Sequence, residues 1–170
     1  MYYGNIKKMA IEDGPGIRVS LYVSGCNIKC KGCHNAVAQD FKFGKFWDQY
    51  GMGELLEAIK PQYITGFTVA GGEPLDVLNR DTVAAIIHIV KTLKPSLSIW
   101  LYTGYEWEDV KDLDLWKEID AAVVGPFKLE ERDITDENRW RGSRNQRVVD
   151  VQASIKANRR ILLENIPNNK

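Results

Sequence analysis

The sequence has little of what marks the more specialised classes of protein. Only three of its 170 residues are cysteine. A disulfide framework needs pairs that close longer loops, so a stapled secreted scaffold is excluded. There is no excess of one charge: Lys+Arg and Asp+Glu each number 23, for a formal net charge of zero and a pI near 6.7. Such a chain projects no global field toward nucleic acid or an anionic membrane, and neither is expected as a partner. Long hydrophobic runs are missing too. Apolar stretches without Asp, Glu, Lys or Arg, such as Thr82–Val90, are well short of the roughly 20 residues a membrane span needs. The opening residues, Met1-Tyr2-Tyr3-Gly4-Asn5-Ile6-Lys7-Lys8, lack the basic-then-apolar order of a secretory signal, so a cytoplasmic location is expected. No internal repeat, low-complexity segment or linker divides the chain.

What is present is an ordinary globular composition, 44% hydrophobic and 27% charged, at a length that fits one core. One domain is expected over residues 1–150, with a polar extension over 151–170 to which no role is assigned. Arg18–Ser24 is rich in β-branched and aromatic residues after a Gly-Pro-Gly turn and reads as a strand. Ile64–Ala70, Leu97–Tyr102 and Ile119–Val124 read the same way, and Val148–Ile155 is a candidate fifth strand. Between them, Gly53–Lys60 and Asn79–Lys94 carry apolar residues at helical spacing and stop at Pro61 and Pro95. Trp107–Trp116 is a further predicted helix.

Strands alternating with helices imply βαβ units and a parallel sheet. The first three strands each run into glycine, at Gly25, at Gly71-Gly72 and at Gly104. In a parallel sheet those loops share the carboxyl-end edge, where such folds bind ligands. Four or five units are too few for a closed eight-stranded barrel. The expected fold class is therefore α/β, an open partial (β/α) barrel of about 4–6 parallel strands.

All three cysteines fall in one loop after the first of these strands, as Cys26-x3-Cys30-x2-Cys33. Thiolates this close in sequence point to metal or redox chemistry. Ordinary electron-transfer cubanes take four cysteines. If a cubane binds here, one iron has no cysteine from this chain and stays open to another molecule, the mark of a catalytic metal. Two plainer readings compete. A zinc site completed by His34 would need adjacent residues to point at one ion. Unligated buried cysteines would need an apolar setting, which Asn27, Lys29 and Lys31 do not supply.

The spacing Cys26-x3-Cys30-x2-Cys33 resembles the signature of the radical S-adenosylmethionine (SAM) superfamily. Gly71-Gly72-Glu73-Pro74 resembles its glycine-rich SAM-binding turn. Asp13-Gly14-Pro15-Gly16-Ile17-Arg18, with Gly25-Cys26 and Cys33-His34-Asn35, looks like the N-terminal half of glycyl-radical activating enzymes. Tyr102-Thr103-Gly104-Tyr105 and the segment Trp140-Arg141-Gly142-Ser143-Arg144-Asn145-Gln146-Arg147 resemble segments of the activating proteins of anaerobic ribonucleotide reductase. The resemblance runs from about Gly14 to Arg147, and Val124 stands where relatives usually carry Asp.

That resemblance implies a [4Fe–4S] cluster on Cys26, Cys30 and Cys33, with SAM as cosubstrate on the remaining iron. It implies that Gly32, Cys33 and His34 pass close to SAM. It gives Gly71, Gly72 and Glu73 the methionyl end, and Thr103-Gly104 the ribose side. No catalytic side chain is expected beyond the cluster and SAM. The implied partners are the large catalytic subunit of anaerobic ribonucleotide reductase and a flavodoxin-like electron donor. The alternatives are an activase of another glycyl-radical enzyme such as pyruvate formate-lyase, a small-molecule radical SAM enzyme, and a non-catalytic zinc or electron-transfer module.

Other residues attract less weight. His88, on a predicted helix, has no evident partner for acid–base work. Arg139, Arg141, Arg144 and Arg147 form a local basic cluster, either a solvated loop or a docking site for carboxylates. Trp47, Trp100 and Trp116 read as core or partner surface.

Overall fold

The computed structural model describes residues 1–135 and 139–163. Its strands are β1 (Tyr2–Ala10), β2 (Arg18–Val23), β3 (Lys45–Phe46), β4 (Gly66–Gly71), β5 (Ser98–Tyr102), β6 (Ala121–Val124) and β7 (Arg147–Asp150). Its helices are α1 (Gln49–Ile59), α2 (Arg80–Leu93), α3 (Trp107–Val110) and α4 (Val151–Ala157), with 3-10 turns at Ala36–Gln39, Asp114–Glu118 and Leu129–Glu131. Among the described residues the strands form one sheet of seven, in the order β3-β1-β2-β4-β5-β6-β7.

The centre of that sheet is parallel: Arg18 pairs with Gly66, Gly66 with Ser98, and Trp100 with Ala121. The margins are antiparallel, β1 on β2, β3 on β1 and β7 on β6. Almost every residue of β2, β4 and β6 is buried, as expected of parallel strands covered on both faces. Alternate residues serve different layers. Ile99, Leu101, Ala122 and Val124 join the main core with Leu55 and Ile59 of α1 and Val83, Ile86, Ile87 and Val90 of α2. Trp100, Ala121 and Val123 form a second, smaller cluster with Trp140 and Val148.

Arg18 ties the lower edge of the parallel strands together. Its buried guanidinium donates to Thr68 Oγ1 at 2.7 Å, to the carbonyls of Phe67 at 3.0 Å and Ser98 at 2.7 Å, and to Pro15 O at 3.0 Å. Thr68 Oγ1 in turn donates to Asp13 O at 2.9 Å. The turn before β2 is thus held beneath the sheet.

Several sequence expectations are corrected. Val148–Ile155 is not one strand: β7 stops at Asp150, whose side chain caps α4 by accepting from Ala153 N at 2.9 Å. A capping aspartate offers the next amides a partner and turns the chain into a helix. Val151, the first residue of α4, lies in the main core. Trp107–Trp116 is not one helix either, because α3 ends at Val110 and a 3-10 turn follows at Asp114–Glu118. Helix α1 begins earlier than predicted, at Gln49, where Asp48 accepts from Tyr50 N and Gly51 N. His88 does have a neighbour: its Nδ1 lies 2.8 Å from Glu118 Oε1 on an exposed flank. Of the extension 151–170, residues 164–170 lie outside those described. No described helix is long and apolar enough to cross a membrane.

Candidate functional site

The parallel strands β2, β4, β5 and β6 deliver their carboxyl ends to one edge, and the cysteine loop lies there. Its feet are pinned by the backbone, Gly25 N to Ala38 O at 2.8 Å and Cys26 N to Gln39 O at 3.1 Å. Residues 26–35 therefore form an excursion that leaves and returns beside the end of β2. Within it, Cys33 N donates to Cys30 O at 3.2 Å, and Lys29 and Gly32 adopt positive φ of 52° and 74°.

Two polar side chains from the neighbouring loop hold this excursion in place. Asn79, buried, donates from Nδ2 to Ser24 O and to Glu73 O, each at 3.0 Å. Asp76 accepts from Asn27 Nδ2 at 2.8 Å. Glycine is required where the backbones touch. A Cβ on Gly72 would lie 2.5 Å from Gly25 O and 2.9 Å from Ala38 O, both main chain.

Glu73 is 1% exposed and its carboxylate is fully engaged. Oε1 accepts from Leu75 N at 2.9 Å and from Thr103 Oγ1 at 2.7 Å, and Oε2 accepts from Gly104 N at 2.8 Å. One carboxylate thus clamps the loop after β4 to the loop after β5. Burial pushes its pKa up to about 7, against the pull of those three donors.

These loops enclose a cavity of ≈ 200 Å³. Cys26, Cys30, Cys33 and His34 line it from one side, and Gly71, Gly72, Glu73, Thr103 and Gly104 from the other. Of the sequence-predicted site residues only Gly32 stands off this wall; a Cβ there would meet the side chain of Leu129. The three cysteines are free and half-buried. Burial pushes the Cys26 thiol up, opposed by the backbone N–H groups of Lys29 and Ile28.

Among the described residues no three His, Cys, Asp or Glu side chains are grouped as for a single metal ion. A zinc site built on these cysteines and His34 therefore has no support in the geometry. A cubane asks for something else, one thiolate at each of several separate irons. Three cysteines on one cavity wall, with no fourth in the chain, fit that donor set.

Known proteins resemble this chain over nearly its whole length. Residues 12–149 match the family described as a 4Fe-4S single cluster domain. The anaerobic ribonucleoside-triphosphate reductase-activating protein of Enterobacteria phage T4 is 36% identical over 148 residues, covering 87% of this chain and 93% of that protein. The protein of the same name from Vibrio cholerae is 35% identical over 150 residues, covering 86% and 96%. The Escherichia coli K12 protein of that name is 28% identical over 151 residues, with the same coverage. The chain belongs to the anaerobic ribonucleoside-triphosphate reductase-activating protein family.

For a member of this activating-protein family, the sequence motifs account for the cysteines and glycines but miss much of the surrounding wall. Tyr22, Gln39, Tyr102, Gly125, Phe127 and Gln146 also line the cavity. The Tyr22 hydroxyl donates to Asp13 Oδ2, which brings the Asp13–Arg18 motif to the same cavity. Gln146 folds back on its own turn, donating to Gly125 O and accepting from Gly142 N and Ser143 N. The arginine cluster divides. Arg147 spends its guanidinium on the carbonyls of Arg144, Asn145 and Gln146, whereas Arg139 stacks on Trp140 at 5.3 Å.

Proposed function

We propose that this chain activates an anaerobic ribonucleoside-triphosphate reductase by generating a glycyl radical on its large subunit. Cys26, Cys30 and Cys33 would hold a [4Fe–4S] cluster, leaving one iron for the amino and carboxylate groups of SAM. When bound, the cluster supplies the electron that splits the SAM sulfonium, giving methionine and a 5′-deoxyadenosyl radical able to take hydrogen from a glycine Cα.

The chain's own residues bind, orient and exclude water. The turn Gly71-Gly72 lets main-chain groups approach the methionyl end, and Cys33-His34 passes along the same ligand, with Gly32 shaping the bend behind it. Thr103-Gly104 faces the ribose side and is held there by Glu73. No side chain needs to act as acid or base. The sheet edge at these loops would be the mouth of an open partial barrel, accessible to a loop of a larger protein. A flavodoxin-like donor in the cytoplasm would supply the electron.

One observation carries this reading: the chain's three cysteines face the same cavity as the glycines that end three parallel strands, Gly71 and Gly72, Gly104 and Gly125. The test uses anaerobically reconstituted, reduced protein mixed with SAM, with and without the large reductase subunit. 5′-Deoxyadenosine is followed by chromatography and the radical by electron paramagnetic resonance. A stable doublet on the large subunit is the expected result. Failure of an intact, reduced cluster to cleave SAM in either mixture would overturn the reading. Cleavage without any doublet would leave the SAM chemistry and remove the reductase.

A further inference from the structure

Among the described residues, neither lysine nor arginine lines the cysteine cavity. The methionyl end of SAM carries an ammonium and a carboxylate, so this wall has to meet one cation and one anion without a positive side chain. The glycine turn suits the cation. Its amides are spent inside the protein, Gly72 N on Val23 O and Glu73 N on Gly25 O, each at 2.7 Å. What such a turn can still offer is carbonyl oxygen, which only accepts. The carboxylate needs donors from elsewhere.

Most candidate donors on the wall are committed. Gly104 N donates to Glu73 Oε2 at 2.8 Å and Thr103 Oγ1 to Glu73 Oε1 at 2.7 Å. The Tyr22 hydroxyl is taken by Asp13, Gln146 Nε2 by Gly125 O at 3.0 Å, and the Tyr102 hydroxyl is fully buried. Asp13 itself has the wrong charge for an anion. His34 and Gln39 are left, and His34 also lines a neighbouring cavity of ≈ 650 Å³ that Gln39 does not reach. Gln39 is fixed by its main chain: its carbonyl accepts from Cys26 N at 3.1 Å, and the carbonyl of Ala38 before it lies 2.9 Å from where a Cβ on Gly72 would be. It therefore sits between a cysteine and the glycine turn, at the methionyl end.

We propose that the side-chain amide of Gln39 donates to the carboxylate of SAM. This rests on the activating-protein reading and adds to it a binding residue that lies outside the cysteine and glycine motifs. A hydrogen bond to an ionised acceptor is roughly twice as strong as one between neutral groups, so a single amide can hold the carboxylate where no cation is at hand. The main-chain anchor of Gln39 does not depend on its side chain, and the amide can be replaced with the cysteine loop left in place.

Full-length wild type, Gln39→Leu and Gln39→Glu would be reconstituted anaerobically. The dissociation constant of labelled SAM would be measured by equilibrium dialysis, with iron content read in parallel. Gln39→Leu removes the donor and should weaken SAM binding about tenfold. Gln39→Glu keeps the size but presents a negative acceptor, and should weaken binding by about 30-fold. Both variants should hold as much iron as the wild type. Binding by Gln39→Glu as tight as that by Gln39→Leu, or tighter, would put the amide at the ammonium and overturn the proposal. Unchanged binding by Gln39→Leu overturns it too, as does loss of iron from either variant, which would make the side chain a support of the cysteine loop. If wild-type protein with its full iron content binds no SAM, the activating-protein reading itself fails and takes the proposal with it.

Discussion

Arg18 and Glu73 lie buried at opposite ends of the same parallel strands, and each binds only neutral partners. Arg18 gathers carbonyls and a hydroxyl below the sheet, from Pro15, Phe67, Thr68 and Ser98. Glu73 gathers amides and a hydroxyl above it, from Leu75, Thr103 and Gly104. Burial lowers the Arg18 pKa to about 10, which still leaves the guanidinium charged at neutral pH. Burial raises Glu73 to about 7, which leaves its charge finely balanced there. The lower staple is therefore permanent, and it meets the cavity only indirectly, through Thr68 and the main chain of Asp13. The upper one is conditional and holds the cavity's own loops. Stability is concentrated at one end of the strands and adjustability at the other, the division usual where loops at the carboxyl ends carry chemistry.

The strongest break of that contrast is at the lower end. Arg18→Ala should leave several buried acceptors without a donor and cost roughly 3–5 kcal/mol. Anaerobic urea denaturation would measure it, and the fraction that remains folded should show an unaltered SAM requirement. At the upper end, Gly72→Ala drives a methyl into Gly25 O and Ala38 O. Since both obstacles are main chain, the cysteine loop has to move. A stability loss of about 1–3 kcal/mol is expected, with iron content after reconstitution falling more than stability does. Equal effects of the two substitutions on iron content would erase the distinction between the ends.

The contrast also shows what the sequence discloses. The central strands are legible because they are buried on both faces and read as continuous apolar runs ending in glycine. Strand β1 escapes such a reading, since Asn5, Lys7 and Lys8 interrupt Tyr2–Ala10 and its buried positions fall irregularly. The break at Asp150 is hidden because valines continue on both sides of it. The cysteines and glycine turns are legible because the chemistry needs those residue types. The fastenings are not, because they join residues far apart in the chain: Arg18 with Ser98, Asn27 with Asp76, Asn79 with Ser24. Glu73 shows the difference within one motif. Its position beside Gly72 suggested a ligand contact, while its side chain is committed to the neighbouring loop.

That commitment gives two gentler tests. Glu73→Gln keeps the size and replaces one oxygen by an amide nitrogen, which cannot accept. With Oε1 still taking Leu75 N and Thr103 Oγ1, the nitrogen would face Gly104 N–H, donor against donor. The half-saturating SAM concentration should rise about fivefold, while iron content is retained. A contact of Glu73 with the ligand itself would instead be expected to alter the rate at saturating SAM.

The smallest effect is on pH dependence. Glu73 in the folded chain has a pKa raised to about 7 from the ordinary 4.5. Between those values the folded state keeps a proton that the unfolded chain has released, so this group's contribution to stability falls as pH rises through the window and is flat above it. Asp76, whose charge raises Glu73 further, would act in the same direction. Apo chain under reducing conditions, denatured at pH 5.5 and at pH 7.5, should thus lose stability relative to Glu73→Gln at the higher pH. An opposite slope would mean that the three donors outweigh burial, making the upper staple as permanent as the lower one and removing the asymmetry between the two ends of the sheet.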